Sequence, residues 1–167
     1  MSRTLVIGYG NLYRADDGVA YDVINTLRQR LGHEALEEGN TGLEELGAQT
    51  DSIFLTQLGP ELIDTLADYD QVIFVDAHVR DDAGDLYTTP ISPAYTPSAF
   101  THHMTPAMLL ALLQALHDQQ LPGHIVSIRG HDFGFRRGLS TAAAALVEPA
   151  SARILQLLSL PGEDRCP

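Results

Sequence analysis

Several things are scarce in this sequence. It has one cysteine, Cys166, beside the C-terminus, no lysine, and no apolar run long enough to cross a bilayer. A lone cysteine excludes a disulfide framework and a cysteine-based metal cluster, and it fits a reducing compartment. Without lysine the cations are ten arginines, set against 22 acids, for a formal net charge of −12. Such a surface is unsuited to nucleic acid or an anionic membrane and favours a neutral, basic or metal-bearing partner. The N-terminus lacks the basic start and apolar stretch of a secretion signal, so the cytoplasm is the expected location, and the acidic surface points to a monomer. Also missing are a Gly-x-Ser-x-Gly elbow and a His-Glu-x-x-His motif, which leaves serine, cysteine and helix-borne zinc hydrolases without support.

What is present is one core's worth of chain. At 167 residues and 44% hydrophobic content, a single domain over residues 1–160 is expected, with 161–167 as a flexible tail. Its organising stretch is Leu5-Val-Ile-Gly-Tyr-Gly-Asn-Leu-Tyr-Arg-Ala-Asp-Asp-Gly18. The apolar run predicts a strand covered on both faces, the glycines a tight loop, and Asp16 and Asp17 sit where either can cap a following helix. That helix is expected over 18–31 from Val19, Val23, Ile24, Leu27 and Leu31, with Gly32 as its stop. A dinucleotide reading is disfavoured, because Tyr13 stands where the third glycine belongs and two acids oppose a pyrophosphate.

Strand and helix then alternate. Ser52 to Thr56 predicts a strand, Pro60 opens a helix carrying Leu62, Ile63 and Leu66, and Val72-Ile-Phe-Val75 is a third β-prone run that ends in Asp76. The proline-bearing segment 81–97 predicts a loop with an edge strand. Thr105-Pro106 caps an amphipathic helix, Ile125 to Ile128 is a further strand, and Ser140 caps a last helix that Pro149 kinks or restarts. Residues 33–50, acidic and broken by glycines, look like an insertion with a short helix in 42–46. The whole predicts a three-layer α/β/α sandwich around a mostly parallel, roughly five-stranded sheet.

Chemistry gathers at the strand ends. Asp17, Asp76 and either His102 or His103 supply two hard oxygen ligands and one imidazole, a set suited to a borderline divalent metal such as nickel or zinc. A carboxylate ending an apolar strand needs a partner, which favours a functional Asp76, whereas Asp17 is equally well read as a helix cap. His78, His124 and His131 compete as ligands. His131-Asp132 also reads as a turn held by Asp132, and Arg136 and Arg137 as partners for surplus acids.

Together the segments Gly8-Tyr-Gly-Asn-Leu-Tyr-Arg-Ala-Asp-Asp-Gly18, Gln57-Leu-Gly-Pro-Glu-Leu62, Phe74-Val-Asp-Ala77, Thr101-His-His-Met-Thr-Pro106 and Gly134-Phe-Arg-Arg-Gly-Leu-Ser140 resemble, in order and spacing, the [NiFe]-hydrogenase maturation endopeptidases. The resemblance spans nearly the whole chain. It implies an endopeptidase that removes the C-terminal extension of a hydrogenase large-subunit precursor once nickel is in place. It carries the metal contacts onto Asp17, Asp76 and His102, with His103 one residue away, and makes Asp17 or Asp76 the group that orients or deprotonates the attacking water. The nickel is then supplied by the precursor; a metal kept by the protease is the competing version. Where the family has a Gly-Gly-Thr-x-Gly loop, spacing to Asp76 selects 57–62 over the similar Gly39-Asn-Thr-Gly42. A non-catalytic, nickel-checking chaperone of the large subunit is the alternative from another class.

Overall fold

The run Leu5–Ile7 forms the middle of β1 (Thr4–Tyr9), and its side chains split between two cores. Val6 packs with the helices α1 (Val19–Arg30) and α5 (Val147–Ser159) on one face, while Leu5 and Ile7 pack with α2 (Leu62–Leu66) and α3 (Pro106–His117) on the other. Alternation along a strand sends successive side chains to opposite faces, so an unbroken apolar run needs cover on both. The computed structural model describes residues 2–95 and 104–160. Among them the sheet is five-stranded, in the order β2-β1-β3-β5-β4.

Strands β2 (Thr50–Leu55), β3 (Gln71–His78) and β5 (Gly123–Arg129) run parallel to β1, and β4 (Leu86–Pro90) is an antiparallel edge strand on β5. This is the expected three-layer α/β/α sandwich with a mostly parallel sheet. From β1 the chain moves outward to β2 on one side and then to β3 on the other. The strand order therefore reverses at the β1/β3 boundary, where open α/β sheets leave a crevice beyond the strand ends.

Two local expectations are revised and a third is met. The strand bearing Asp76 does not end there, because pairing with β5 continues through Asp76↔Ser127, Ala77↔Ile128 and His78↔Arg129. On its other side the ladder to β1 stops at Gly8↔Val75, so Asp76 emerges on the one flank where its neighbouring strand has finished. Neither Asp16 nor Asp17 caps α1. A 3-10 turn over Ala15–Gly18 precedes the helix, Gly18 takes the N-cap position without a side-chain bond, and the two carboxylates are left for other partners. The last helical stretch breaks after α4 (Thr141–Ala144), whose Ser140 hydroxyl accepts the Ala143 amide, and Pro149 falls in the first turn of α5, where a missing N–H costs nothing.

Glycine at position 8 lets the helix layer approach the sheet. A Cβ there would lie 2.6 Å from Ile24 Cγ1 and 3.2 Å from Ala20 Cβ, well inside contact distance. Residues 33–49 hold one short 3-10 turn (Leu43–Glu45) and lie against β2, with the Phe54 amide donating to the Thr41 carbonyl at 3.0 Å. Buried Arg28 fastens this segment from below, donating to the carbonyls of Glu34 and Ser52 and pairing with Glu45 at 3.0 Å. No helix among the described residues is long and apolar enough to cross a membrane.

Candidate active site

Asp17 and Asp76 face one cleft of about 590 Å³, lined also by Tyr9, Gly10, Arg14, Gln57 and Met104. It lies beyond the C-terminal ends of β1 and β3, at the crevice that the strand order creates. Its walls come from loops far apart in sequence. The 57–62 segment selected by spacing contributes Gln57 and Leu58, whereas Gly39-Asn40-Thr41 lines a neighbouring groove of about 440 Å³ that shares Asn11, Thr56 and Gln57.

The turn that delivers Asp17 depends on Gly10. With φ at +153°, a Cβ on this residue would lie 1.9 Å from the Asp17 carbonyl oxygen, so the two backbone segments meet at a distance that no side chain permits. The Asn11 amide then donates to Asp17 Oδ2 at 2.8 Å. Among the described residues Oδ1 accepts no bond.

Asp16 does something else. Fully buried, it accepts from the amides of His131 (2.8 Å), Asp132 (3.0 Å) and Ser140 (2.7 Å) and from the Ser140 hydroxyl (2.7 Å). Burial alone would raise its pKa, but the Ser140 hydroxyl and these three amides outweigh it and hold the carboxyl below the ordinary value. Asp16 thereby clamps the 131–140 loop to the loop that carries Asp17.

Asp76 sits among fixed donors. The Tyr9 hydroxyl donates to Oδ2 at 2.8 Å and the Ser127 hydroxyl to Oδ1 at 2.5 Å. Burial pushes its pKa up, and the nearby charge of Asp17 adds to that; the Ser127 and Tyr9 bonds and nearby His78 pull the other way without cancelling it. Tyr9 is itself displaced strongly upward by burial and by the Asp76 carboxylate, so it stays a donor.

Behind Asp76 the chain of bonds continues. His78 Nδ1 lies 2.9 Å from Ser127 Oγ, and His78 Nε2 lies 2.9 Å from the Gly84 carbonyl. A carbonyl only accepts, so Nε2 carries a proton. Ser127 Oγ bridges Asp76 Oδ1 and His78 Nδ1. His78 is thus a support for Asp76 rather than a competing ligand, a role no spacing in the sequence announces.

The other sequence-predicted residues fall elsewhere. His124 is buried at the start of β5 with Nδ1 unpartnered among the described residues, and burial in apolar surroundings lowers its pKa. His131 is exposed, and its neighbour Asp132 takes the Gly134 amide at 2.9 Å, as the turn reading expects. Arg136 pairs with Asp132 and Arg137 with Glu38. His102 and His103 lie outside the described residues; Met104, which follows them, lines the cleft. Among the described residues no three His, Cys, Asp or Glu side chains are grouped to hold a metal. Asp17 and Asp76, the two carboxylates of the expected set, share one cleft.

No protein-family model matches the chain, and neither does any curated protein. Solved structures do. The hydrogenase maturating endopeptidase HybD from E. coli superimposes with a TM-score of 0.68 at 20% identity, over 93% of this chain and 91% of that one. The fold is that of the hydrogenase maturation proteases. The [NiFe] hydrogenase maturation protease HycI from Thermococcus kodakarensis KOD1 gives a TM-score of 0.62 at 17% identity, covering 95% of this chain and 94% of its own. HybD from Thermococcus kodakarensis gives 0.59 at 18% identity, over 93% and 98%.

Proposed function

We propose that this protein is an endopeptidase that removes the C-terminal extension of a [NiFe]-hydrogenase large-subunit precursor after nickel insertion. The observation that carries the reading is the pairing of Asp17 and Asp76 in one cleft at the strand-order reversal, with Met104 in its wall directly after His102-His103. Nickel here belongs to the substrate. The two carboxylates and His102 recognise the ion in the precursor, so a chain without metal is not presented for cutting, and processing takes place in the cytoplasm on a monomeric enzyme. Nickel held there would also polarise nearby groups as a Lewis acid.

The chain's own residues orient and exchange protons. Asp76, fixed on both oxygens by Tyr9 and Ser127, has its charged form disfavoured by burial, which suits a carboxyl that gains and loses a proton during turnover. Asp17 lines the cleft with Oδ1 accepting no bond among the described residues, which suits it to orient a water against the scissile carbonyl. The test is mass spectrometry of a large-subunit precursor, nickel-loaded and nickel-free, incubated with wild type and with Asp76→Asn. A single C-terminal mass loss, confined to the nickel-loaded precursor and the wild type, is the expected result. Equal cutting of the nickel-free precursor would shift the metal to the protease. Binding without any cutting would make the protein a nickel-checking chaperone.

A further inference from the structure

Beside the cleft stands a projecting rim that the chemistry above does not use. Tyr13 and Phe135 are 65% and 89% exposed, and Phe135 is the most exposed large apolar side chain among the described residues. Arg14 lies over the Phe135 ring at 5.2 Å and Arg137 over the Tyr13 ring at 5.7 Å. In a chain of net charge −12, three of its ten arginines (Arg14, Arg136 and Arg137) meet here.

The rim is built to hold its shape. Arg14 and Arg136 form a bridge between the two loops, the Ala15 amide donates to the Arg136 carbonyl at 2.9 Å, and the Arg14 guanidinium donates to the Phe133 carbonyl at 3.0 Å. The buried Asp16 carboxylate anchors the same loop from beneath. An aromatic ring held out in water by so many bonds is pre-ordered for a contact, which lowers the entropy cost of making one. Arg136 and Arg137 already have carboxylate partners, whereas Arg14 bonds only to a carbonyl among the described residues and also lines the cleft.

We propose that this rim is the docking surface for the folded body of the polypeptide whose tail enters the cleft. Phe135 inserts into an apolar depression on that partner, and Arg14 meets a carboxylate at its edge. The inference rests on the reading that the cleft processes a precursor protein. A projecting surface does not enclose a small molecule, which binds in concave sites. Exposed aromatics and arginine are the residue types that carry binding energy between proteins. Continuity of Arg14 between rim and cleft ties the docked body to the segment being cut.

The test measures nickel-loaded large-subunit precursor against wild type, Phe135→Ala, Phe135→Glu, Arg14→Ala and, as a control, Val79→Ala, which removes another exposed apolar side chain. Processing kinetics by mass spectrometry and urea unfolding are recorded for each. Phe135→Ala is expected to raise KM at least tenfold with kcat within twofold and an unchanged unfolding midpoint. Phe135→Glu should be worse, Arg14→Ala should raise KM and flatten its salt dependence, and Val79→Ala should match the wild type. KM values for both Phe135 variants within twofold of wild type would overturn the proposal while leaving the protease reading intact. Failure of the wild type to process any precursor would instead overturn the protease reading, and the docking surface with it.

Discussion

Asp16 and Asp17 are adjacent in the chain and serve different structures: Asp16 takes four hydrogen bonds from residues 131, 132 and 140, and Asp17 faces the cleft. Their conservative substitutions should separate accordingly. Asp16→Asn replaces an acceptor oxygen with a donor amide inside the clamp, and a loss of about 3 kcal/mol is expected from broken bonds to a buried carboxylate. Asp17→Asn should leave stability within about 0.5 kcal/mol and abolish processing. Urea unfolding and precursor mass spectrometry on the two variants check both halves.

The pH dependence of stability follows from the same residue. Asp16 has its folded pKa depressed, so the unfolded chain binds its proton more readily. Its contribution is therefore complete above the unfolded carboxylate value of about 4 and is lost as pH falls through the lower folded value. Unfolding free energy measured between about pH 5 and pH 2 should decline less steeply in Asp16→Asn than in the wild type.

Asp76 behaves in the opposite sense. Its folded pKa is raised, so the folded state holds the proton more tightly, and its contribution weakens as pH rises from about 4 through the folded value. Removing the charge removes the cost of burying it. Asp76→Asn can still accept from Tyr9 and, through its amide, donate to Ser127 Oγ. At neutral pH it should be at least as stable as the wild type, by up to about 1 kcal/mol or roughly 3 °C in Tm, while losing all processing. Calorimetry beside the mass assay would show the two properties moving apart.

Gly10→Ala should damage the site more than the fold. Its Cβ would overlap the Asp17 carbonyl, so the turn bearing Asp17 must shift. A loss of processing of at least tenfold is expected, since misplacement by about an ångström at a site costs that much or more. Gly39→Ala is the control: it also has positive φ, at +86°, but nothing lies within 4 Å of its Cβ, so a penalty of about 1 kcal/mol without a matching loss of processing is expected.

Ser127→Ala removes the link between Asp76 and His78 and leaves both short of a partner. A stability loss of about 2 kcal/mol is expected. If Ser127 acts by positioning Asp76, processing should also fall and its pH profile should shift, which loss of stability alone would not produce. A variant with an unshifted profile would reduce Ser127 to a structural role.

Much of this protein was legible in its sequence because local patterns carry it. Unbroken apolar runs require strands covered on both faces, and a 3.6-residue stripe requires a helix with one buried side. Thr105-Pro106 and Ser140 mark helix starts through the bonds they make with nearby amides. Asp76 stood out for the same reason, as a carboxylate following an apolar run, whereas Asp17 was set apart from Asp16 by the family resemblance. The order β2-β1-β3-β5-β4 was not legible, and it is this order that brings the ends of β1 and β3 together. Nor did any short-range signal divide the labour between Asp16 and Asp17, since the amides that claim Asp16 lie more than a hundred residues downstream. The support of Asp76 by Tyr9, Ser127 and His78 has the same origin: hydrogen bonds across parallel strands join residues whose separation in sequence is set by the helices between them. Residue type and local spacing thus determined the elements and the candidate carboxylates, and only the tertiary structure decided which carboxylate faces the cleft and what holds it there.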